Sequence, residues 1–74
     1  MQRFGEKLRT LRKRHGMTLT DAAAALGYNA HPHISMLENG KKQPTAALVL
    51  KVAWLFNVTT DQLLKDELEL DDVS

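Results

Sequence analysis

His31, Pro32, His33, Ser35 and Met36 gather much of this chain's capacity for varied polar contact into one short stretch. An imidazole donates or accepts according to its tautomer, a serine hydroxyl does both, and a thioether adds soft apolar contact. These groups suit the recognition of a polar ligand. Catalysis would need more, and no nucleophile–base pair, Gly-rich phosphate loop or metal-ligand spacing is found, so no residue is assigned a catalytic role. His31 and His33, even taken with His15, lack a third metal ligand at a sensible spacing and read as the polar start of a helix. No metal and no cofactor are therefore expected. Lys41, Lys42 and Gln43 follow in a loop, where a lysine pair serves equally well for phosphate contact or for solubility.

Two short helical patterns around a glycine place the first group of residues. Thr18 can cap a helix, with Asp21 three positions on completing a capping-box-like pair, and Ala22, Ala23 and Leu26 supply one apolar face. Gly27 stops that helix, because a helix C-terminus favours the left-handed backbone glycine adopts readily. Ile34 and Leu37 anchor the next helix, which Gly40 ends after Asn39. Residues 18–39 thus have the layout of a helix-turn-helix, which points to DNA.

The remaining elements must support that pair. Phe4, Leu8 and Leu11 fall at i, i+4 and i+7 with Arg and Lys between them, so residues 2–15 read as an amphipathic helix ended by Gly16. Pro44 marks a loop, Thr45 caps a fourth helix to about Phe56, and Thr59 with Gln62 forms another capping-box pair opening a fifth helix from Thr60 to about Lys65. No period-two segment, repeat or linker is present. The expected fold is all-α, a compact five-helix bundle in a single domain over residues 1–74, with its core in 4–65 and an acidic tail in 66–74.

Composition narrows the partners. Residues 1–60 hold nine Lys or Arg against three acids, a net +6, whereas residues 61–74 hold one Lys against six acids, a net −5. A basic body with an acidic tail suits a polyanion-binding module whose tail points away from the ligand. Apolar runs such as Ala46 to Leu50 are far too short to span a bilayer, and the N-terminus does not resemble a secretory signal. An Arg-rich amphipathic N-terminus also occurs in transit sequences, but removing it would cost the bundle a helix that its core needs. A cytoplasmic location without membrane contact is expected. With 74 residues and no cysteine, the core is worth only about 3–5 kcal/mol and no disulfide reinforces it, which favours self-association.

At this point the chain resembles the phage-repressor and Cro-like helix-turn-helix family, also found among bacterial regulators of the xenobiotic-response-element type. The matching pieces are Gly5-Glu-Lys-Leu-Arg-Thr-Leu-Arg12, Gly16-Met-Thr18, Ala23-Ala-Ala-Leu-Gly27, Ile34-Ser-Met-Leu-Glu-Asn-Gly-Lys41, Pro44-Thr45 and Asn57-Val58 through Leu63-Leu64. The resemblance covers roughly residues 4–65. It implies that the third helix enters the major groove with His31, Pro32, His33, Ser35 and Met36 toward base edges. It further implies that Thr18, Thr20, Asn39, Lys41, Lys42 and Gln43 meet phosphates, and that Arg12 and Glu38 form an ion pair orienting the reading helix. Two departures stand out. Six residues rather than five separate Gly27 from Ile34, and Leu19 stands where the family often has Gln. Pro32 is tolerated in a first helical turn, which Asn29 or a neighbour could cap.

Helix four carries more apolar residues than one face needs. A core stripe of Ala46, Val49, Val52, Ala53 and Phe56 is expected, yet Leu48, Leu50, Trp54 and Leu55 extend apolar character nearly all the way round. Either Leu68, Leu70 and Val73 of the tail fold over the surplus, or a second subunit does. The expected reading is a homodimeric DNA-binding repressor acting on two-fold operators, with Leu50, Trp54 and Leu55 at the subunit contact. The alternative is an antitoxin-like module that binds DNA and also a protein partner, through helix four or the acidic tail.

Overall fold

The structure is a computed structural model that describes residues 3–27, 31–66, 68 and 70. Five helices and no strand are present among these residues: α1 (Phe4–Arg14), α2 (Leu19–Ala25), α3 (His31–Glu38), α4 (Ala46–Phe56) and α5 (Thr60–Leu64). Capping explains where most of them begin. Thr18 Oγ1 accepts from Asp21 N while Asp21 Oδ2 accepts from Thr18 N, both at 3.0 Å. Thr59 and Gln62 repeat this arrangement at α5, and Thr45 Oγ1 accepts from Leu48 N at 3.1 Å. Each cap satisfies an amide that the first helical turn leaves without a partner. Gly27, at φ +84°, lets the chain leave α2 as the sequence predicts.

Helix α1 is shorter at its start than the 2–15 pattern suggests, and the reason lies at the other end of the chain. Arg3 N donates to Asp66 Oδ1 and Arg3 Nη1 donates to the Asp66 carbonyl, both at 2.9 Å. Arg3 is the N-cap, and Asp66 takes its amide as the third residue's side chain does in a capping box.

Phe4, Leu8 and Leu11 from α1 meet Ala22, Ala23 and Leu26 from α2, Ile34 and Leu37 from α3, and Leu63 from α5 in one core. Helix α4 contributes Leu48, Val49, Val52, Ala53 and Phe56. Its buried stripe is therefore rotated from the one expected. Leu48 is core rather than surplus, and Ala46 is exposed at the first helical position. The rotation replaces a methyl group by an isobutyl group beneath α4, a larger apolar contribution to burial. Glycine at position 5 allows α1 and α3 to cross closely. A Cβ there would stand within 2.7 Å of Glu38 O and closer still to Leu37 O, so any side chain would push the two helices apart.

Lys7 is the residue whose role the sequence pattern concealed. It is 1% exposed, and its ammonium donates to the carbonyls of Gln62, Lys65 (2.7 Å) and Leu68 (2.6 Å). An ammonium has three donors, and here three acceptors meet them. Placed at the end of α5, the cation also faces the negative end of that helix. Together with Arg3 it ties residues 62–68 across α1.

Candidate nucleic-acid interface

Glu38, the last residue of α3, accepts from Arg12 Nε at 2.7 Å and from Nη2 at 3.2 Å, a two-pronged contact with side chains 5% and 12% exposed respectively. Arg12 Nη1 also donates to Met17 O at 2.9 Å. One guanidinium thereby joins α1, the segment leading into α2, and the end of α3. Its hydrogen bonds to Glu38 raise the Arg12 pKa above its ordinary value, burial acts against them, and the charge attraction adds to the rise. The planar fork fixes orientation as well as position.

Held in this way, α3 buries Ile34 and Leu37 and leaves Pro32, His33, Ser35 and Met36 wholly or partly open to solvent. Pro32 is exposed, His33 and Ser35 are half-buried, and Met36 is 42% exposed. The helix begins at His31, which places Pro32 in the first turn, where no helical acceptor awaits the missing amide. The side chain of His31 and residues Tyr28 to Ala30, including the suggested cap Asn29, lie outside the described residues. Beyond α3, Asn39, Lys41, Lys42 and Gln43 are all exposed, and the amides of Lys41 and Lys42 donate back to Met36 O, folding the loop against the helix end. Asn39 Nδ2 contacts Ser35 Oγ at 3.4 Å, and Lys42 Nζ approaches His33 Nδ1 at 3.3 Å. An ammonium can only donate, so in this contact the Nδ1 atom accepts. The loop and the outward side of α3 are thus one continuous polar surface.

Thr18 and Thr20 are exposed at the start of α2. The capping box occupies the amides of Thr18 and Asp21 and sets a carboxylate at that helix end. The bond from the Thr18 amide, followed by that to its hydroxyl, lowers the Asp21 pKa. His15 lies against Phe56 with ring centroids 4.9 Å apart. Among the described residues no three side chains able to ligate a metal come together. No helix among them is long and apolar enough to cross a membrane.

The last three expected site residues occupy another face. Leu50 is 58% exposed and Trp54 89%, with Leu55 beside them also exposed. Leu70 packs partly buried against the core while Leu68 stays exposed, so the described part of the tail does not cover Trp54. Val73 lies outside the described residues.

A helix-turn-helix family model matches residues 8–63 of the chain, which takes in all of α2, α3 and α4 and most of α1 and α5. Comparison with curated proteins gave no match.

Proposed function

Since the chain belongs to the Cro-like helix-turn-helix family, whose members are DNA-binding transcriptional regulators, we propose that it is a repressor that binds two-fold operators as a homodimer. The observation that carries this reading is the Arg12–Glu38 fork, which fixes α3 so that its outward residues form one polar surface with the 39–43 loop. His31, Pro32, His33, Ser35 and Met36 face base edges in the major groove, where imidazole and hydroxyl groups exchange hydrogen bonds and Met36 lies against a thymine methyl. Lys41 and Lys42 neutralise phosphates, with Asn39 and Gln43 adding polar backbone contacts, which strengthens binding without specifying sequence. At α2 the hydroxyls of Thr18 and Thr20 take the phosphate contact, because the capping box already engages the amides of Thr18, with the Asp21 carboxylate, and of Asp21, with the Thr18 hydroxyl.

Selecting bound sequences from a random DNA pool tests the proposal. The expected result is a two-fold motif with half-sites about 10–10.5 base pairs apart, and affinity that falls steeply with salt. His33→Ala and Met36→Ala each alter preference at one position per half-site by about 1–3 kcal/mol. Recovery of no motif, or of an unchanged motif with both variants, removes this reading of α3. The antitoxin-like alternative draws on the exposed α4 face, and tight co-purification with a second protein is the outcome that would favour it.

A further inference from the structure

Beside the exposed face of α4 runs an open, mainly apolar groove of about 470 Å³, bounded by Pro44, Ala46, Val49 and Leu50 on one side and by Thr60 and Leu64 of α5 on the other. Trp54 stands one helical turn beyond Leu50, about 6 Å along the axis. We propose that each subunit of the homodimer inserts its Trp54 into this groove on its partner, so that the indole is the key and the Leu50–Leu64 groove its socket. This rests on the homodimer reading above and supplies its contact geometry.

Surface area favours a second copy as the occupant. On the scale of about 150–250 Å² for an aromatic side chain, Trp54 with Leu50, Ala46, Ala47 and Leu64 offers roughly 400–500 Å² of apolar surface. A standard interface takes about 800 Å² from each partner, of which roughly 56–65% is apolar, close to what this face holds. Key and socket also lie on the same surface, as a two-fold contact requires: what one copy presents, the other receives. Antiparallel α4 helices would set Trp54 of one opposite the N-terminal turns of the other, where the groove opens. Parallel helices would set Trp54 against Trp54 and leave both grooves unfilled.

Charge is consistent with the same pairing. Lys51 is the one charged residue of α4, and its ammonium lies toward Gly27, within 3.6 Å of where a Cβ would stand there. It is directed to the end of α2 and away from the groove. The described part of the tail does not take this place, since Leu70 packs against the core and neither it nor Leu68 lines the groove. The groove also begins at Pro44, immediately after the Lys41–Gln43 loop, so a seated indole would brace the segment assigned to phosphate contact. By reciprocity, DNA binding then tightens the dimer by the factor that dimerisation tightens DNA binding.

Trp54 is the only tryptophan, so its fluorescence reports the contact directly. A dilution series of the full chain without DNA should show emission moving from the blue of a buried indole to the red of a hydrated one. Its midpoint should coincide with dimer dissociation measured by sedimentation equilibrium. Leu50→Glu places a carboxylate in the socket at a position already exposed, so helicity by circular dichroism stays unchanged. Its dimer dissociation constant should rise roughly 100-fold, with Trp54 red throughout. A dimer whose Trp54 remains red, unaltered self-association in Leu50→Glu, or a wild-type chain monomeric at every concentration each overturns the proposal. Half-site DNA binding separates the two readings: a wild-type chain that binds no half-site removes the DNA surface, whereas half-site binding kept in Leu50→Glu together with a lost dimer confines the effect to the contact proposed here.

Discussion

The α2–α3 half and the α4–α5 half are both fastened to α1, but by different chemistry. On the reading side, Arg12 grips the Glu38 carboxylate and α2 is capped through the Asp21 carboxylate. On the other side, Lys7 grips three main-chain carbonyls and α5 is capped through the neutral amide of Gln62. Side-chain pairs set direction, because a carboxylate and a guanidinium match in only a few geometries. Carbonyls at a helix end are indifferent to the identity of the residues bearing them, so the Lys7 clamp fastens a segment without needing a partner side chain. Orientation is thus specified at α3, the helix proposed to face DNA, and simple closure where α5 completes the core.

Removing the clamp should have the largest effect. Lys7→Met keeps an apolar stem of similar length but leaves three acceptors without their donor, and at about 1–3 kcal/mol for each unsatisfied group the loss is roughly 3–9 kcal/mol. The whole domain has only about 3–5 kcal/mol to lose. The variant is therefore expected to be largely unfolded at 25 °C by circular dichroism, and a cooperative transition close to that of the wild type would show that water replaces the ammonium at little cost.

Glu38→Gln should cost less stability and more function. The amide preserves shape and one acceptor but removes the charge opposite Arg12, for which about 2–3 kcal/mol is expected, below the about 3–5 kcal/mol of a fully buried pair because Arg12 retains some solvent contact. The variant folds, with a lower urea midpoint and an unchanged slope. Its DNA affinity should fall across all sequences, since a poorly held α3 loses every contact it makes. An equal affinity with reduced stability would mean that the fork stabilises the fold without orienting α3.

Much of this arrangement was legible in the sequence. Phe4, Leu8 and Leu11, the two capping boxes, Gly27, the Ile34–Leu37 pair and Pro44 with Thr45 located five helices because each rests on local chemistry that the chain expresses within a turn or two. Lys7 was not legible as a clamp, although its position three residues after Phe4 places it on the buried face, where a lysine calls for a partner. Its acceptors lie 55 to 61 residues away along the chain, and carbonyls carry no signature in a sequence. The rotated stripe of α4 was hidden for a related reason. When nearly every residue of a helix is apolar, periodicity cannot say which way it faces, and only packing against α5 and the shared core decides between Ala46 and Leu48. The polar surface of α3 was assigned largely by family resemblance, because hydrogen-bonding residues on a short helix do not by themselves identify what they bind.

The smallest effect separates the two capping boxes, which share one geometry and differ in whether the third residue can titrate. Asp21 has its pKa lowered in the folded chain by the bonds from Thr18. Its contribution is therefore present above the ordinary aspartate value of 3.8 and disappears as pH falls through the lowered folded value. Once protonated, the carboxyl accepts the Thr18 amide more weakly and no longer complements the positive end of α2. Gln62 offers its carbonyl oxygen to Thr59 at any pH. Hydrogen exchange followed by NMR during acid titration should thus show the first turn of α2 losing protection before the first turn of α5. In Asp21→Asn the acid-dependent difference should vanish, because both boxes then rest on neutral amides. Simultaneous loss in the two helices would mean that α2 and α5 open only with the whole domain, and that the Asp21 box does not set the order of acid opening.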